Sequence, residues 1–369
     1  RCSFTTNGGW FFPLYGGYGM GIVSLIKDRK ADVVIVGSDQ EYIRRAFLYV
    51  AQGLGIPTLL LDLGISDNIT NTVGIAFKRT SYRMRYYFWN IIRKYLYLLR
   101  TVVDLRWNPF RILRMVAKDI KVVLFIDDAR GMFGNQPIVV AGDWERKVLL
   151  ERGVNPENIH IAGNPRWGLG STIGTSEGVR SGLGIGEDDK IILFLTCAQV
   201  EHGRWTVGMR ESLIKGVIDT LKPILDDSVH LIIKIHPIEN KAEYEKMVGD
   251  SPTILLKEIS LPDIINASDV VLVGGYSSTV LEASHLQKPV IILNTFNEIK
   301  AIPYDEMGIA MEVNDLTTLE PIVDNLLCGQ PYTDRMLRNS AQFFKANKAF
   351  VDGKATERIT DLIMELAGK

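Results

Sequence analysis

The residues best suited to chemistry lie in SDVVLVGGYSSTVLEASHLQKPVIILN, residues 268–294. An apolar run, Val270 to Val273, predicts a buried strand, and Gly274 and Gly275 follow it as a turn. Ser277, Ser278 and Thr279 place three hydroxyls before a helix predicted from Val280 to Leu286, and Pro289 opens the next strand. Unpaired N–H groups and the dipole at such a helix start favour an anion. Glu282 stands one helical turn inward, placed to accept hydrogen bonds from sugar hydroxyls. A phosphate cradle beside a hydroxyl-reading carboxylate suggests a nucleotide site. An ordinary strand–turn–helix with a good cap would carry the same residues.

Two further polar loops follow apolar runs. After IILFL comes the loop from Thr196 to Arg204, which holds Thr196, Gln199, Glu201 and His202, and after VHLIIKI come His236 and Pro237. Proline fixes the backbone there and aims the imidazole outward, so His236 is a candidate donor to a diphosphate. His202 and Glu201 are candidate acid–base groups, or simply parts of a solvated loop. In the first half, Asp39 follows a strand in GSD, where it is either a catalytic carboxylate or the cap of the next helix. Asp39, His202 and His236 are thus the candidate catalytic residues. Thr196, Gln199, His236, Gly275, Ser277, Ser278, Thr279 and Glu282 are the candidate donor-binding residues. Asp127–Asp128, Asp188–Asp189 and Asp226–Asp227 are simple pairs with no Asp-x-Asp motif, and no metal site is expected.

The elements that must position these groups alternate between apolar strands and amphipathic helices. VVIVG, then Glu41 to Leu54, then IPTLLLD open the pattern, with the helix's apolar face at Ile43, Phe47, Val50 and Leu54. Strands at Lys121–Ile126, Pro137–Ala141 and Asn158–Ala162 continue it, with a helix from Asp143 to Arg152. Such alternation argues for parallel sheets covered by helices. In a doubly wound sheet, loops at the carboxyl edge converge on one crevice. We expect a first domain over residues 1–168, a Gly-, Ser- and Thr-rich linker over 169–189, a second domain over 190–350, and a closing helix over 351–369. The glycine- and aromatic-rich residues 1–22 read as a loop, either mobile or facing a ligand that its glycines let the backbone approach, and Gly64 to Asn68 read as another loop.

Composition excludes several classes. At 369 residues, 46% hydrophobic and 23% charged, the chain can bury two cores, and its net charge is −1. Three scattered cysteines, Cys2, Cys197 and Cys328, suit reduced thiols in a cytosolic protein. No apolar run reaches the ~18–20 residues of a membrane span. The sequence begins at Arg1 without a methionine, which leaves room for upstream residues. Residues 77–121 depart from the rest: twelve Lys and Arg oppose Asp104 and Asp119, a net of +10, interleaved with Tyr, Trp and Phe. An amphipathic helix there fits an anionic membrane surface. Single-stranded nucleic acid or packing over the first domain would also account for it.

ADVVIVGSD with GLGIPTLLLDLGI, AGDWERKVLLERGVNPENIHIAGNPRW, KIHP, and SDVVLVGGYSSTVLEASHLQKPVIIL, in that order, resemble the GT-B superfamily. The resemblance is nearest to CDP-glycerol glycerophosphotransferases, bacterial polysialyltransferases and UDP-N-acetylglucosamine 2-epimerases. It implies an α/β fold of two Rossmann-like doubly wound domains. It also implies that His236 and Pro237 match those transferases' His-Pro motif, that Ser277, Ser278 and Thr279 hold phosphate, and that Glu282 binds ribose. LLDLGIS lacks the epimerases' His-x-Glu-Ala-Gly pattern, and CAQVEHGRW replaces their arginine-rich loop, so epimerase chemistry fits less well. The expectation is a metal-independent glycosyltransferase without a resident cofactor, peripheral to the cytoplasmic membrane face. It would use a UDP-, CDP- or CMP-linked sugar and a lipid-linked or glycan acceptor, with no nucleic-acid partner. A non-catalytic nucleotide-sugar-binding subunit is the alternative from another class.

Overall fold

The computed structural model describes residues 21–61, 82–125, 129–165, 174–202, 204–298, 300, 302–329 and 331–368. The loop reading of residues 1–22 lies outside them as far as residue 20, whereas Gly21 and Ile22 are helical, and the reading of Gly64 to Asn68 lies outside them. Two units emerge from the chain's contacts: Arg1–Gly170 with Asn347–Lys369, and Ser171–Ala346.

In the first unit four parallel strands stand in sequence order: β1 (Val34–Val36), β2 (Thr58–Leu61), β3 (Ile138–Val140) and β4 (Ile159–Ile161). Helix α1 (Tyr42–Gly53) buries Ile43, Ala46 and Val50, and its cap is Glu41, whose carboxylate accepts from Arg44 N at 2.9 Å. Asp39 is therefore not the cap. The basic stretch forms two helices, α2 (Tyr82–Asp104) and α3 (Pro109–Phe125). Helix α2 packs on α1 through Leu98 and Val102. A short helix, α4 (Asp143–Glu151), follows β3.

The strand expected at Lys121–Ile126 is instead the last part of α3 as far as Phe125. Met115, Asp119 and Val122 are buried at helical spacing, and Asp119 is paired at 2.5 Å with the fully buried Arg45 of α1. A short apolar run fits either element, and here the buried ion pair on the same face selects the helix. The closing helix, Ala355–Leu366, sets Ile359 and Leu362 against Leu59 and Val139 of this unit's sheet.

The second unit runs from Ser171 to Ala346. Within the expected linker, Ser176–Leu183 forms a helix, α5. Its ends are chemically marked: Thr175 accepts from Gly178 N at 3.2 Å, and Gly184 closes the helix in the left-handed region at φ +71°. The Gly, Ser and Thr residues that read as linker are in part these caps. Arg180 anchors α5, donating to Asp269 at 2.8 Å.

Six parallel strands follow in the order β10–β9–β8–β5–β6–β7. They are β5 (Lys190–Leu195), β6 (Val229–Lys234), β7 (Ile254–Leu256), β8 (Val270–Val273), β9 (Val290–Leu293) and β10 (Met311–Val313). No long apolar run in the sequence marks β10, three residues at the sheet's edge. Strands β5, β8 and β9 are buried along almost their whole length, as parallel strands covered on both faces must be. Each such Ile, Leu or Val contributes roughly 1.5–3 kcal/mol. The chain leaves β5 through α6 (Val207–Leu221) toward β6, then returns past β5 to β8 and continues away to β9. The carboxyl ends of neighbouring β5 and β8 are therefore the switch point where such sheets form a crevice.

Candidate functional site

All three polar loops of the sequence reading meet at this switch point. The loop after β5 and the loop after β6 are bonded directly: His236 N donates to Thr196 Oγ1 at 2.8 Å and to Glu239 Oε2 at 3.2 Å. Thr196 Oγ–H donates in turn to Glu239 Oε2, and Tyr244 O–H donates to Glu239 Oε1 at 2.7 Å. Glu239 is 1% exposed and lies 3.5 Å from Arg210, itself 3% exposed and paired with Glu201 at 2.9 Å and with Glu243. A buried carboxylate thus fixes the backbone of His236 and the hydroxyl of Thr196. Sequence reasoning missed Glu239, Tyr244 and Arg210, although the i, i+3 spacing of His236 and Glu239 was available.

The His236 ring is half-buried, and its Nδ1 accepts from Ile238 N at 3.4 Å. That leaves Nε2 to carry the proton of the neutral ring. Burial holds the imidazole below its usual range, against an opposing pull from Glu239, while nearby His202 and Lys234 also favour the neutral form. His202 is exposed in the loop after β5, close enough to bear on His236 electrostatically. Lys234 is 7% exposed, and its ammonium donates to the carbonyls of Lys257 at 2.6 Å and Ile235 at 3.3 Å.

The glycine turn after β8 completes the edge. Gly275 has φ +108°, which favours glycine, and a Cβ there would lie 2.5 Å from Glu298 Oε2 and 3.5 Å from Gln199 Nε2. Glu298 also accepts from Trp205 Nε1 at 2.7 Å, tying the loop after β9 to the loop after β5. Helix α7 (Thr279–His285) starts here. Of the three hydroxyls expected to cap it, only Ser277 reaches back, accepting from Thr279 N at 3.4 Å, and Ser278 makes no capping bond. Thr279 Oγ1 is buried and has no hydrogen-bond partner among the described residues. Glu282 is half-buried one turn into α7.

Asp39 has a different duty. It is fully buried in the first unit, and its two oxygens accept from Gly131 N and Phe133 N, each at 3.1 Å. Burial pushes its carboxyl up while those bonds pull it back. A carboxylate closed off from solvent and committed to two backbone donors holds a loop. Sequence alone could not separate this from a catalytic role, because the loop it ties lies more than ninety residues away. Among the described residues no group of three or more His, Cys, Asp or Glu is arranged to hold a metal ion.

Residues 145–365 match the family of CDP-glycerol:poly(glycerophosphate) glycerophosphotransferases, a span that contains this whole carboxyl edge. The chain belongs to that family. Solved structures similar to this family member share its fold. One is the S. aureus MnaA–UDP complex, 13% identical with a TM-score of 0.58, covering 95% of this chain and 80% of that one. Another is CalG4, the calicheamicin glycosyltransferase, 13% identical with a TM-score of 0.56, covering 100% of this chain and 82% of that one. No curated protein matches the chain. The fold is thus GT-B-like, with two units of parallel sheet and flanking helices, and the chain is a transferase of surface-polymer synthesis.

Proposed function

We propose that this chain transfers the activated group of a nucleoside-diphosphate donor to a hydroxyl of a surface-polymer acceptor at the cytoplasmic face of the membrane. The observation that carries this reading is the family match over residues 145–365, which spans the switch point of β5 and β8. The donor's diphosphate lies against the Gly275 turn and the unpartnered Thr279 hydroxyl, with Ser277 and Ser278 beside it. Thr196 and Gln199 border the same edge, and Glu282 accepts from the ribose. His236, neutral with its Nε2–H outward, donates to the charge that develops on the leaving phosphate. His202 takes the acceptor proton, since Asp39 is committed to Gly131 and Phe133 and Glu201 to Arg210.

The family's own chemistry favours glycerophosphate as the transferred group. The acceptor oxygen then attacks the distal phosphorus of CDP-glycerol, the phosphoanhydride breaks, CMP leaves, and the acceptor proton goes to the base. Glycosyl transfer is the second reading, favoured by the two-sheet fold shared with a glycosyltransferase. In that case the anomeric C–O bond breaks and a nucleoside diphosphate leaves, or CMP from a CMP-sugar. Helices α2 and α3 supply a membrane-facing surface. Leu96 and Val103 on α2, and Phe110, Leu113 and Ile120 on α3, are each more than half exposed, among Arg111, Arg114, Lys118 and Lys121.

The test is thermal stabilisation by CDP-glycerol, CDP, CMP, UDP and their sugar conjugates, followed by chromatography of the nucleotide released. A bound nucleotide at about 100 times its Kd should add roughly 2.7 kcal/mol. Stabilisation by CDP-glycerol with release of CMP is the expected result. A released nucleoside diphosphate would select glycosyl transfer, and no stabilisation by any nucleotide would leave a non-catalytic protein and overturn the proposal.

A further inference from the structure

A cavity of about 750 Å³ opens at the other edge of the first unit's sheet, where Gly55 to Thr58 and Gly134 to Pro137 lead into β2 and β3. Helix α3 forms its wall, and Arg111, Arg114 and Lys118 face it at i, i+3 and i+7. No Asp or Glu lines it. Arg111 lies 3.6 Å from the centre of the Trp107 ring, and Lys118 donates to the carbonyl of Met132. Arg114 is exposed and has no ion-pair partner among the described residues. Gln136 also lines the cavity; it is 5% exposed, and neither Nε2 nor Oε1 has a partner. A positively charged cavity with an unsatisfied buried amide is a site for an anion with hydrogen-bonding oxygens.

The rest of α3 describes what carries that anion. Phe110, Leu113 and Ile120 are 76%, 64% and 54% exposed. On a helix of 3.6 residues per turn, this apolar row adjoins the row of Arg111, Arg114 and Lys118. The cations thus separate the exposed apolar row from the buried face of Met115 and Val122. A free nucleotide suits the cavity less, because its aromatic walls are already covered. Trp107 is stacked by Arg111 and meets Tyr49 at 4.7 Å, and Phe133 is covered by Arg45 at 3.9 Å.

We infer that this cavity binds the phosphate-bearing headgroup of a membrane lipid, with the lipid's chains lying along Phe110, Leu113 and Ile120. Arg111 and Arg114 pair with the phosphate, and the Gln136 amide donates to one of its oxygens after a side-chain rotation. The site is independent of the nucleotide edge and rests on the membrane-facing reading of α2 and α3. It would convert general attraction to an anionic surface into recognition of one headgroup.

Calorimetry on the full chain tests this with dihexanoylphosphatidic acid below its micelle-forming concentration, against dihexanoylphosphatidylcholine and inorganic phosphate. The acid should bind about tenfold or more tighter than either control. Arg111→Gln with Arg114→Gln, both on the surface, should weaken it by about tenfold or more at an unchanged melting midpoint. Gln136→Leu should weaken it without lowering that midpoint. No binding by the parent, equal binding by inorganic phosphate, or unchanged binding in the double variant would overturn the site. Vesicle sedimentation separates the two readings. Anionic vesicles that retain the parent when the short-chain lipid does not bind leave the membrane surface intact and remove the cavity. Short-chain lipid that binds in an Arg111-dependent way without vesicle retention does the reverse.

Discussion

His236 shows how neighbours set the state of a side chain. Its ring is held neutral by burial, and its backbone N–H is clamped by Thr196 and Glu239. His236→Asn keeps a polar side chain but removes the Nε2 donor. It should cut nucleotide release by about 10²–10³-fold while leaving nucleotide binding within about tenfold, read by initial rates against calorimetry. Glu239→Gln acts differently, because it removes a charge that Arg210 faces inside the protein. We expect a loss on the order of 2 kcal/mol in chemical denaturation, with Arg210 partly rescued by Glu201 and Glu243. Glu282→Ala should weaken nucleotide binding by about tenfold, as loss of a charged acceptor to a ribose hydroxyl requires. Unchanged affinity would remove Glu282 from the ribose. His236, Thr196 and Gly275 were legible in the sequence because each follows an apolar strand. Glu239 and Arg210 were not, because a buried ion network is made by chain segments that only folding brings together.

Helix α3 carries the clearest test at the scale of the element. Phe110→Ser, Leu113→Ser and Ile120→Ser together leave the buried face of Met115, Asp119 and Val122 untouched. The triple variant should keep its melting temperature and lose most of its sedimentation with anionic vesicles, whereas retained sedimentation would assign the surface to another partner. A second element ties the chain's end to the first unit. Gly163 has φ +88°, and a Cβ there would meet the carbonyl oxygen of Ala349 at 1.8 Å. Gly163→Ala should therefore cost about 2 kcal/mol or more, because backbone strain and a backbone clash act together. Sequence periodicity placed most helices and strands within a residue or two. It failed at Lys121–Phe125, where a run of apolar residues fits strand and helix alike, and at Ser176–Leu183, where cap residues resemble a linker.

For the molecule as a whole, acid sensitivity is set by carboxylates held ionised. Burial pushes Glu312 up, but hydrogen bonds from Lys300, Asn294 and Tyr276 outweigh it and bring it down to about 2. Its folded-state value lies below the unfolded one, so its stabilisation is present above pH 4.5 and is lost as pH falls toward 2. Glu312→Gln should lower stability at neutral pH and flatten the fall between those limits, which melting curves across the range will show. A slope unchanged by the substitution would assign the acid sensitivity to other carboxylates. By itself the sequence determined the α/β class, the parallel strands and the three polar loops, because strand burial and turn chemistry are local and repeat at readable spacing. Tertiary structure alone decided that β5 and β8 are neighbours, that Asp39 is sealed against the loop of Gly131 and Phe133, and that three cations of α3 share a cavity with Gln136. Those outcomes depend on contacts between residues far apart in the chain, and no local pattern encodes which distant partner a buried charge will find.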